Sequence, residues 1–374
     1  MFRFVHSSDL HIGKRFGNMP EDLRGRLREA RHAAIGRLAE LARTHQASTI
    51  FLAGDTFDTE TPTPAMLRQA LAELGQSAPL RWILLPGNHD SLLADQLWNA
   101  ARSAAPDNVV LATQPEILML AEDVALLPAP CTSRRPGRDL TEWMTGAATP
   151  ESAIRLGLAH GAIRDFSEES AASDVIPPDR AARAGLDYLA LGDWHGPVAV
   201  SERTRYSGTP EPDRFKHDRP GEALVVSIAG PGALPEIAAV ETGSFAWCTV
   251  PLHLLAGDDS VAALETLLPP GHVRRKTLLR IAASGRVRLG GRTALAAAAD
   301  AAAPEFAHLE LLEDALATDC ESDDLDRIDR AGALREAAQA LLDESSDETR
   351  LTAERAISRE ALVRLFSYCE ATGS

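Results

Sequence analysis

Phe2-Arg3-Phe4-Val5-His6-Ser7-Ser8-Asp9-Leu10-His11-Ile12-Gly13 begins as an apolar, aromatic run and ends in a carboxylate and an imidazole two residues apart. Such a run predicts a short buried strand. In an extended segment Asp9 and His11 share a face, and Gly13 permits a tight exit. Four later blocks repeat the arrangement: Gly54-Asp55-Thr56-Phe57-Asp58, Gly87-Asn88-His89-Asp90, Ala159-His160-Gly161 and Gly192-Asp193-Trp194-His195. Each closes an apolar run, at 48–52, 82–85, 156–158 and 188–191.

Carboxylate, imidazole and amide oxygen are the donors that a pair of divalent ions takes. Gly54 lets the chain turn closely, leaving Asp55 at a strand end where its two oxygens can bridge two cations. Asn88 offers a neutral carbonyl oxygen. His89, its neighbour on an extended loop, points the other way, so one can bind metal while the other faces a substrate. An isolated Asp-x-His is usually an ordinary polar pair, and His160 alone would read as a satisfied buried histidine. Order, strand-end placement and ligand chemistry agree across the blocks, and two adjacent cations are an apparatus for breaking phosphate esters.

Working outward, residues 1–240 alternate strand-like and helix-like pieces, which predicts an α/β domain. Leu23, Leu27, Ala30, Ala34, Leu38 and Leu41 share one face of a helix over 22–45, and 64–74 is a second helix. Closely spaced strands at 109–111, 117–120 and 124–127 predict hairpins and a mixed sheet. A small α+β unit follows at 245–315, with strands at 249–254, 277–281 and 308–312 and helices at 260–267 and 292–302. From 316 to 374 the chain is acidic and helical, with amphipathic stretches at 326–342 and 358–369.

The 374 residues carry a formal net charge of -16, which weighs against tight unaided binding of nucleic acid. Arginines crowd 24–43 and read as the solvated face of a helix. Basic residues recur through Arg203, Lys216 and Arg219, and acidic ones crowd 310–348. Cys131, Cys248, Cys320 and Cys369 form no CxxC pair, against zinc ribbons and disulfide frameworks. No signal peptide and no bilayer-length apolar stretch is evident, so a cytoplasmic location and no membrane partner are expected.

The five blocks resemble the calcineurin-like metallophosphoesterase superfamily, with its DxH, GDxxD, GNHD/E, histidine and GHxH motifs. His6 to Gly13, with Tyr206-Ser207-Gly208-Thr209-Pro210 and Phe215, resemble more narrowly the SbcD-like DNA repair exonuclease branch. The resemblance covers residues 1 to about 225. It implies a four-layer α/β/β/α sandwich, a small α+β capping domain and a helical C-terminal segment. It further implies two divalent metal ions, Mn²⁺ foremost, with Mg²⁺, Zn²⁺ or Fe²⁺ as alternatives. Asp9, His11 and His195 then resemble ligands of the first ion, Asp55 the bridge, and Asn88 and His160 ligands of the second. His89 matches the position that stabilises or protonates the leaving group. Asp58 and Asp90 match residues that orient their neighbours, and His6 one that packs beside the site. The implied partners are DNA as substrate, an SbcC-like SMC-type ATPase docking through 358–369, and a second copy in a homodimer.

One block departs. Asp193 stands where the family has a second-metal histidine. A carboxylate can ligate and favours harder ions such as Mn²⁺ or Mg²⁺, but it is shorter and can fall short. Three functions therefore stand side by side: a DNA exo- or endonuclease, a phosphodiesterase for nucleotides or other small diesters, and a catalytically weak scaffold of an ATPase complex.

Overall fold

Strands covered on both faces need apolar residues at successive positions, and the runs that precede the five blocks are used in this way. The computed structural model of the chain describes residues 1–163, 175–216, 219–320, 322–329 and 332–372. In chain order the elements are β1 (Phe2–Ser7), α1 (Glu21–Thr44), β2 (Thr49–Leu52), α2 (Pro64–Gln76), β3 (Arg81–Leu84), α3 (Asp95–Ala104) and β4 (Val109–Leu111). There follow β5 (Leu118–Ala121), β6 (Val124–Ala129), β7 (Ile154–His160), α4 (Arg180–Arg183), β8 (Tyr188–Gly192), β9 (Val198–Ala199), β10 (Thr204–Tyr206), β11 (Glu222–Ile228) and β12 (Glu236–Glu241). The rest comprises β13 (Ala246–Leu254), α5 (Ser260–Leu267), α6 (Gly271–Arg274), β14 (Thr277–Arg288), α7 (Leu289–Ala302), β15 (His308–Asp319), α8 (Ser322–Ile328), α9 (Ala333–Ser346) and α10 (Thr352–Thr372). The chain divides into two units, Met1–Ala246 and Trp247–Ser374.

The first unit holds two six-stranded sheets, β12-β11-β1-β2-β3-β4 and β5-β6-β7-β8-β10-β9. Alternation of side chains along each strand assigns the layers. Phe4, Phe51 and Ile83 enter the cluster shared with Leu126, Leu156, Leu158 and Tyr188 of the second sheet. Val5, Ile50, Leu52, Trp82 and Leu84 instead pack with α1, α2 and α3 through Leu38, Leu71 and Trp98. On the outer side of the second sheet, Leu127, Leu189 and Leu191 pack against Met144, Ile176 and Ala181. This is a mixed α/β fold of two large sheets flanked by helices.

In the first sheet β1, β2, β3 and β4 run parallel, as do β6, β7 and β8 in the second. Their carboxyl ends deliver the five blocks. The hairpin expectation holds for β5 and β6, which pair antiparallel. It fails for 109–111, because β4 pairs parallel to β3 in the other sheet and the following loop carries the chain across the sandwich. Strands β9, β10, β11 and β12 escaped the sequence reading, although Glu222-Ala-Leu-Val-Val-Ser-Ile228 is itself an apolar run.

Within the second unit β13-β14-β15 form a sheet, packed through Leu252, Leu264, Leu279, Ile281, Leu295 and Phe306. Strand β15 continues to Asp319, so the helical segment expected from 316 begins later. The sequence reading ended this strand at 312, before several of its acidic residues. They are accommodated in the strand because Arg280 pairs with Glu310 at 2.9 Å, Arg292 with Glu313 at 3.0 Å, and Arg286 with Asp319. The stretch 326–342 divides between α8 and α9, and its residues 330–331 lie outside the described residues. No helix among the described residues is long and apolar enough to cross a membrane.

His6 joins the two sheets. It is fully buried, accepts from the Tyr188 hydroxyl at Nδ1 (3.0 Å) and donates from Nε2 to the Leu191 carbonyl (3.1 Å). Burial pushes its pKa from 6.5 down to about 3, against the smaller opposing effect of the Leu191 carbonyl. The folded chain therefore binds fewer protons than the unfolded one between these values, and stability falls as pH drops below 6.5. His6 alone contributes about 1.4 kcal/mol per pH unit in that window. Denaturant unfolding of a His6→Gln variant should show a correspondingly flatter slope from pH 6.5 to 5 than the parent protein.

Candidate metal centre

Backbone bonds between loops continue the parallel pairing of β1 and β2 beyond the strands. Asp9 N–H donates to the Gly54 carbonyl (3.1 Å), His11 N–H to Asp55 (2.9 Å) and Ile12 N–H to Thr56 (2.9 Å). On the other sheet Gly161 N–H donates to Gly192 (3.1 Å). The segment holding Asp9 and His11 is not extended, as the sequence had suggested. Asp9, His11, Asp55 and Asp193 all have positive φ, at 56°, 44°, 54° and 104°. Such conformations are sparsely populated for residues with a Cβ and recur at functional sites. Two glycines make the close approach of the loops feasible. A Cβ at Gly54 would lie 2.2 Å from His160 Nδ1, and one at Gly87 would lie 2.1 Å from Asp55 Oδ1.

Asp55 is the centre. Its Oδ2 lies 3.5 Å from His11 Nε2, supplied from the first sheet, and 3.5 Å from His160 Nε2, supplied from the second. Its Oδ1 accepts from the His89 backbone N–H at 2.8 Å. Asp9 Oδ1 is 3.9 Å from His11 Nε2 and 4.0 Å from His195 Nε2. Asp193 Oδ1 is 3.7 Å from His160 Nε2 and accepts from Asn88 Nδ2 at 2.8 Å. That bond occupies the amide's donor end and leaves its acceptor, Asn88 Oδ1, without a hydrogen-bond partner. All seven sequence-read ligand positions thus converge. His89 joins them, its ring centroid 4.7 Å from that of His11.

The imidazoles share one orientation rule. Nδ1 of His11 meets Asp58 Oδ1 (3.1 Å), that of His89 the Asp58 carbonyl (2.9 Å), that of His160 the Ala53 carbonyl (2.8 Å) and that of His195 Asp213 Oδ1 (3.1 Å). For His11, His89 and His160 the partner can only accept, so Nδ1 carries a proton and the neutral ring presents its lone pair at Nε2; His195 also lies 3.3 Å and 3.4 Å, at Nδ1 and Nε2, from Arg214 Nη2. Asp90 is wholly buried and accepts from Gly87 N–H (2.7 Å) and Phe57 N–H (3.0 Å), tying the third block to the second. Burial, and then repulsion from Asp55, push its pKa up to about 7.

The donor set fits divalent cations. Asp9 Oδ1, His11 Nε2, Asn88 Oδ1 and His160 Nε2 are buried without a hydrogen-bond partner, a costly state for polar atoms. Burial opposes charge on Asp55, yet His160 and His11 hold its carboxyl well below the usual range. Burial likewise opposes charge on His160, but Asp55 raises its pKa well above normal. The site therefore favours positive charge beside Asp55. Asp9, His11 and His195, and Asp9, Asp55 and His160, form groups whose donor atoms lie within 4.8 Å of one another.

Several residues of the site were not legible in the sequence. Arg31, expected on a solvated face, is 2 % exposed. Its guanidinium donates to the carbonyls of Leu10, Asp9 and Glu211, each at 2.7 Å. Arg37 donates to Glu211 Oε2 at 2.6 Å. Asp213 and Lys14 also escaped notice, though Glu211 and Asp213 flank Pro212 directly after the Tyr206–Pro210 segment. An alanine at Gly87 should displace Asp55 by roughly an ångström and lower turnover about 100-fold. Near-parental turnover of Gly87→Ala would contradict this packing.

A cleft of about 290 Å³ opens on the cluster, lined by Asn88, His89, Asp193, Trp194, Arg214 and Lys216 among others. The SbcD subunit of the SbcCD nuclease of Escherichia coli (strain K12) is 36% identical over 94 residues, covering 24% of this chain and 22% of that protein. The same-named protein of Bacillus subtilis (strain 168) is 26% identical over 278 residues, covering 62% of this chain and 67% of that protein. The uncharacterized metallophosphoesterase YhaO of the same organism is 22% identical over 200 residues, covering 51% and 48%. The chain thus matches about a fifth of the length of the first relative and about half of YhaO. The calcineurin-like phosphoesterase profile matches residues 2–227, which includes every block of the centre. With this match and this cluster of ligand-type side chains, the chain belongs to the calcineurin-like phosphoesterase family and is a metallophosphoesterase hydrolase.

Proposed function

We propose that the protein is a DNA exo- or endonuclease subunit that hydrolyses phosphodiesters at a dinuclear centre, with Mn²⁺ as the preferred ion. The observation that carries this reading is the set of four buried donor atoms without hydrogen-bond partners, two of them 3.5 Å from Asp55 Oδ2. Asp9, His11 and His195 would hold one ion, Asn88, His160 and Asp193 the other, and Asp55 both. Bound there, the cations supply charge neutralisation for phosphate oxygens and acidify a water near neutral pH.

The chain's own groups do the rest. Asp58 and the Ala53 carbonyl hold the His11 and His160 rings through Nδ1, and Asp213 holds that of His195, whose Nε2 also lies 3.4 Å from Arg214 Nη2. His89, anchored through Nδ1 to the Asp58 carbonyl, would in its doubly protonated form donate from Nε2–H to stabilise or protonate the departing oxygen. Arg214 and Lys216 line the cleft and present cations to the phosphate backbone. The match to the SbcD proteins supports DNA as substrate and an SbcC-type ATPase as partner. Such a partner would supply basic surface that a chain of net charge -16 lacks.

A second reading, hydrolysis of nucleotides or other small diesters, is favoured by the modest cleft of about 290 Å³. Mn²⁺-dependent hydrolysis of linear duplex DNA, compared with a small diester and a cyclic nucleotide, separates the two. Degradation of DNA ends is expected, and turnover of the small diester alone would overturn the nuclease reading. His89→Asn should retain metal and lose about 10²- to 10⁴-fold in turnover; near-normal turnover contradicts its role. Asp193→Ala should bind the second ion more weakly, and unchanged stoichiometry and activity would remove Asp193 from the ligand set.

A further inference from the structure

Two of the imidazoles are backed by carboxylates, and one lysine joins those carboxylates. His11 Nδ1 lies 3.1 Å from Asp58 Oδ1, and His195 Nδ1 lies 3.1 Å from Asp213 Oδ1. Lys14 Nζ is 2.8 Å from Asp213 Oδ2 and 4.0 Å from Asp58 Oδ1. The Asp213 side chain is 1% exposed, and it accepts also from Arg214 Nε at 3.0 Å. The His11 and His195 rings that the two carboxylates back have centroids 5.0 Å apart.

We propose that Lys14 and Asp213 are positioning residues that close a belt, His11–Asp58–Lys14–Asp213–His195, around one half of the metal centre. The proposal rests on the reading of Asp9, His11 and His195 as ligands of one divalent cation. Each carboxylate fixes one tautomer and raises the donor strength of the ring it backs. Lys14 adds what neither carboxylate does alone. It draws the loop after β1 and the loop after β10 together, so that the two Nε2 atoms keep a constant separation. Without Lys14, Asp58 and Asp213 would lose the cation they share, while Asp213 would keep its bond from Arg214 Nε. The second half of the centre has no such belt, since His160 is backed by the neutral Ala53 carbonyl.

The belt predicts unequal sensitivity of the two ions. Mn²⁺ binding to the full-length chain should be titrated by electron paramagnetic resonance of the free ion, for the parent and for Asp213→Ala, Asp213→Asn and Lys14→Met. The parent should bind two ions. Asp213→Ala should weaken one of them about 10- to 100-fold and leave the other unchanged. Asp213→Asn should lose less, because its amide oxygen still accepts from Nδ1–H, and Lys14→Met should also weaken the same ion. Thermal unfolding without metal reports folding separately. Asp187→Asn serves as a control, because Asp187 is a buried carboxylate that accepts from Arg155 N–H and Gly232 N–H away from the centre. It should cost stability and leave both affinities intact. Two ions bound by all variants within twofold of the parent would overturn the belt while sparing the dinuclear reading. A parent that binds no Mn²⁺ would overturn both. Lys14 is the more exposed member, at 24%, so Lys14→Met keeps the test decisive if Asp213→Ala does not fold.

Discussion

A single carboxylate, Asp55, meets imidazoles from two different sheets at 3.5 Å each, and the rest of the first unit is arranged so that this can happen. The sheets must pack face to face, with the carboxyl ends of β1, β2, β3, β7 and β8 at one edge. The connecting loops must then approach more closely than side chains normally allow. Gly54 and Gly87 remove the Cβ atoms that would otherwise strike His160 and Asp55. Four site residues adopt left-handed backbone, a conformation that costs on the order of 1–3 kcal/mol per residue. The backbone bonds from Asp9, His11 and Ile12 to the second block hold the conformations of Asp9, His11 and Asp55 in place.

Arg31 carries the support outward. Its buried guanidinium binds the carbonyls of Asp9, Leu10 and Glu211, so the first block, α1 and the loop bearing Asp213 are joined at one point. Glu211 in turn accepts from Arg37 and from the N–H groups of Ser244 and Phe245. A buried charge with several partners costs much if any one is removed, which makes this network a rigid frame behind the ligands rather than a surface ion pair.

Much of this was legible in the sequence, and the misses have physical causes. Apolar runs ending in Asp, Asn and His locate the strand ends, because strands buried on both faces cannot hide their composition. Arg31 was not legible, because helical periodicity records which residues are apolar and cannot tell an arginine that binds carbonyls from one that faces water. Asp213 and Lys14 act through other side chains, and nothing local in the sequence couples Lys14 to a residue nearly two hundred positions away. The left-handed turns at Asp9 and His11 were hidden too, since neither is a glycine. In β15 the sequence reading stopped the strand at 312, because the arginine partners that let its acidic residues continue it lie in β14 and α7.

The central claim is that Asp55 stands between two cations. Crystals of the full-length protein grown with MnCl₂, measured at the manganese absorption edge, test it most directly. The account predicts two anomalous peaks that share Asp55, one beside His11 and His195 and the other beside Asn88 and His160. A single peak, or peaks away from Asp55, would contradict it.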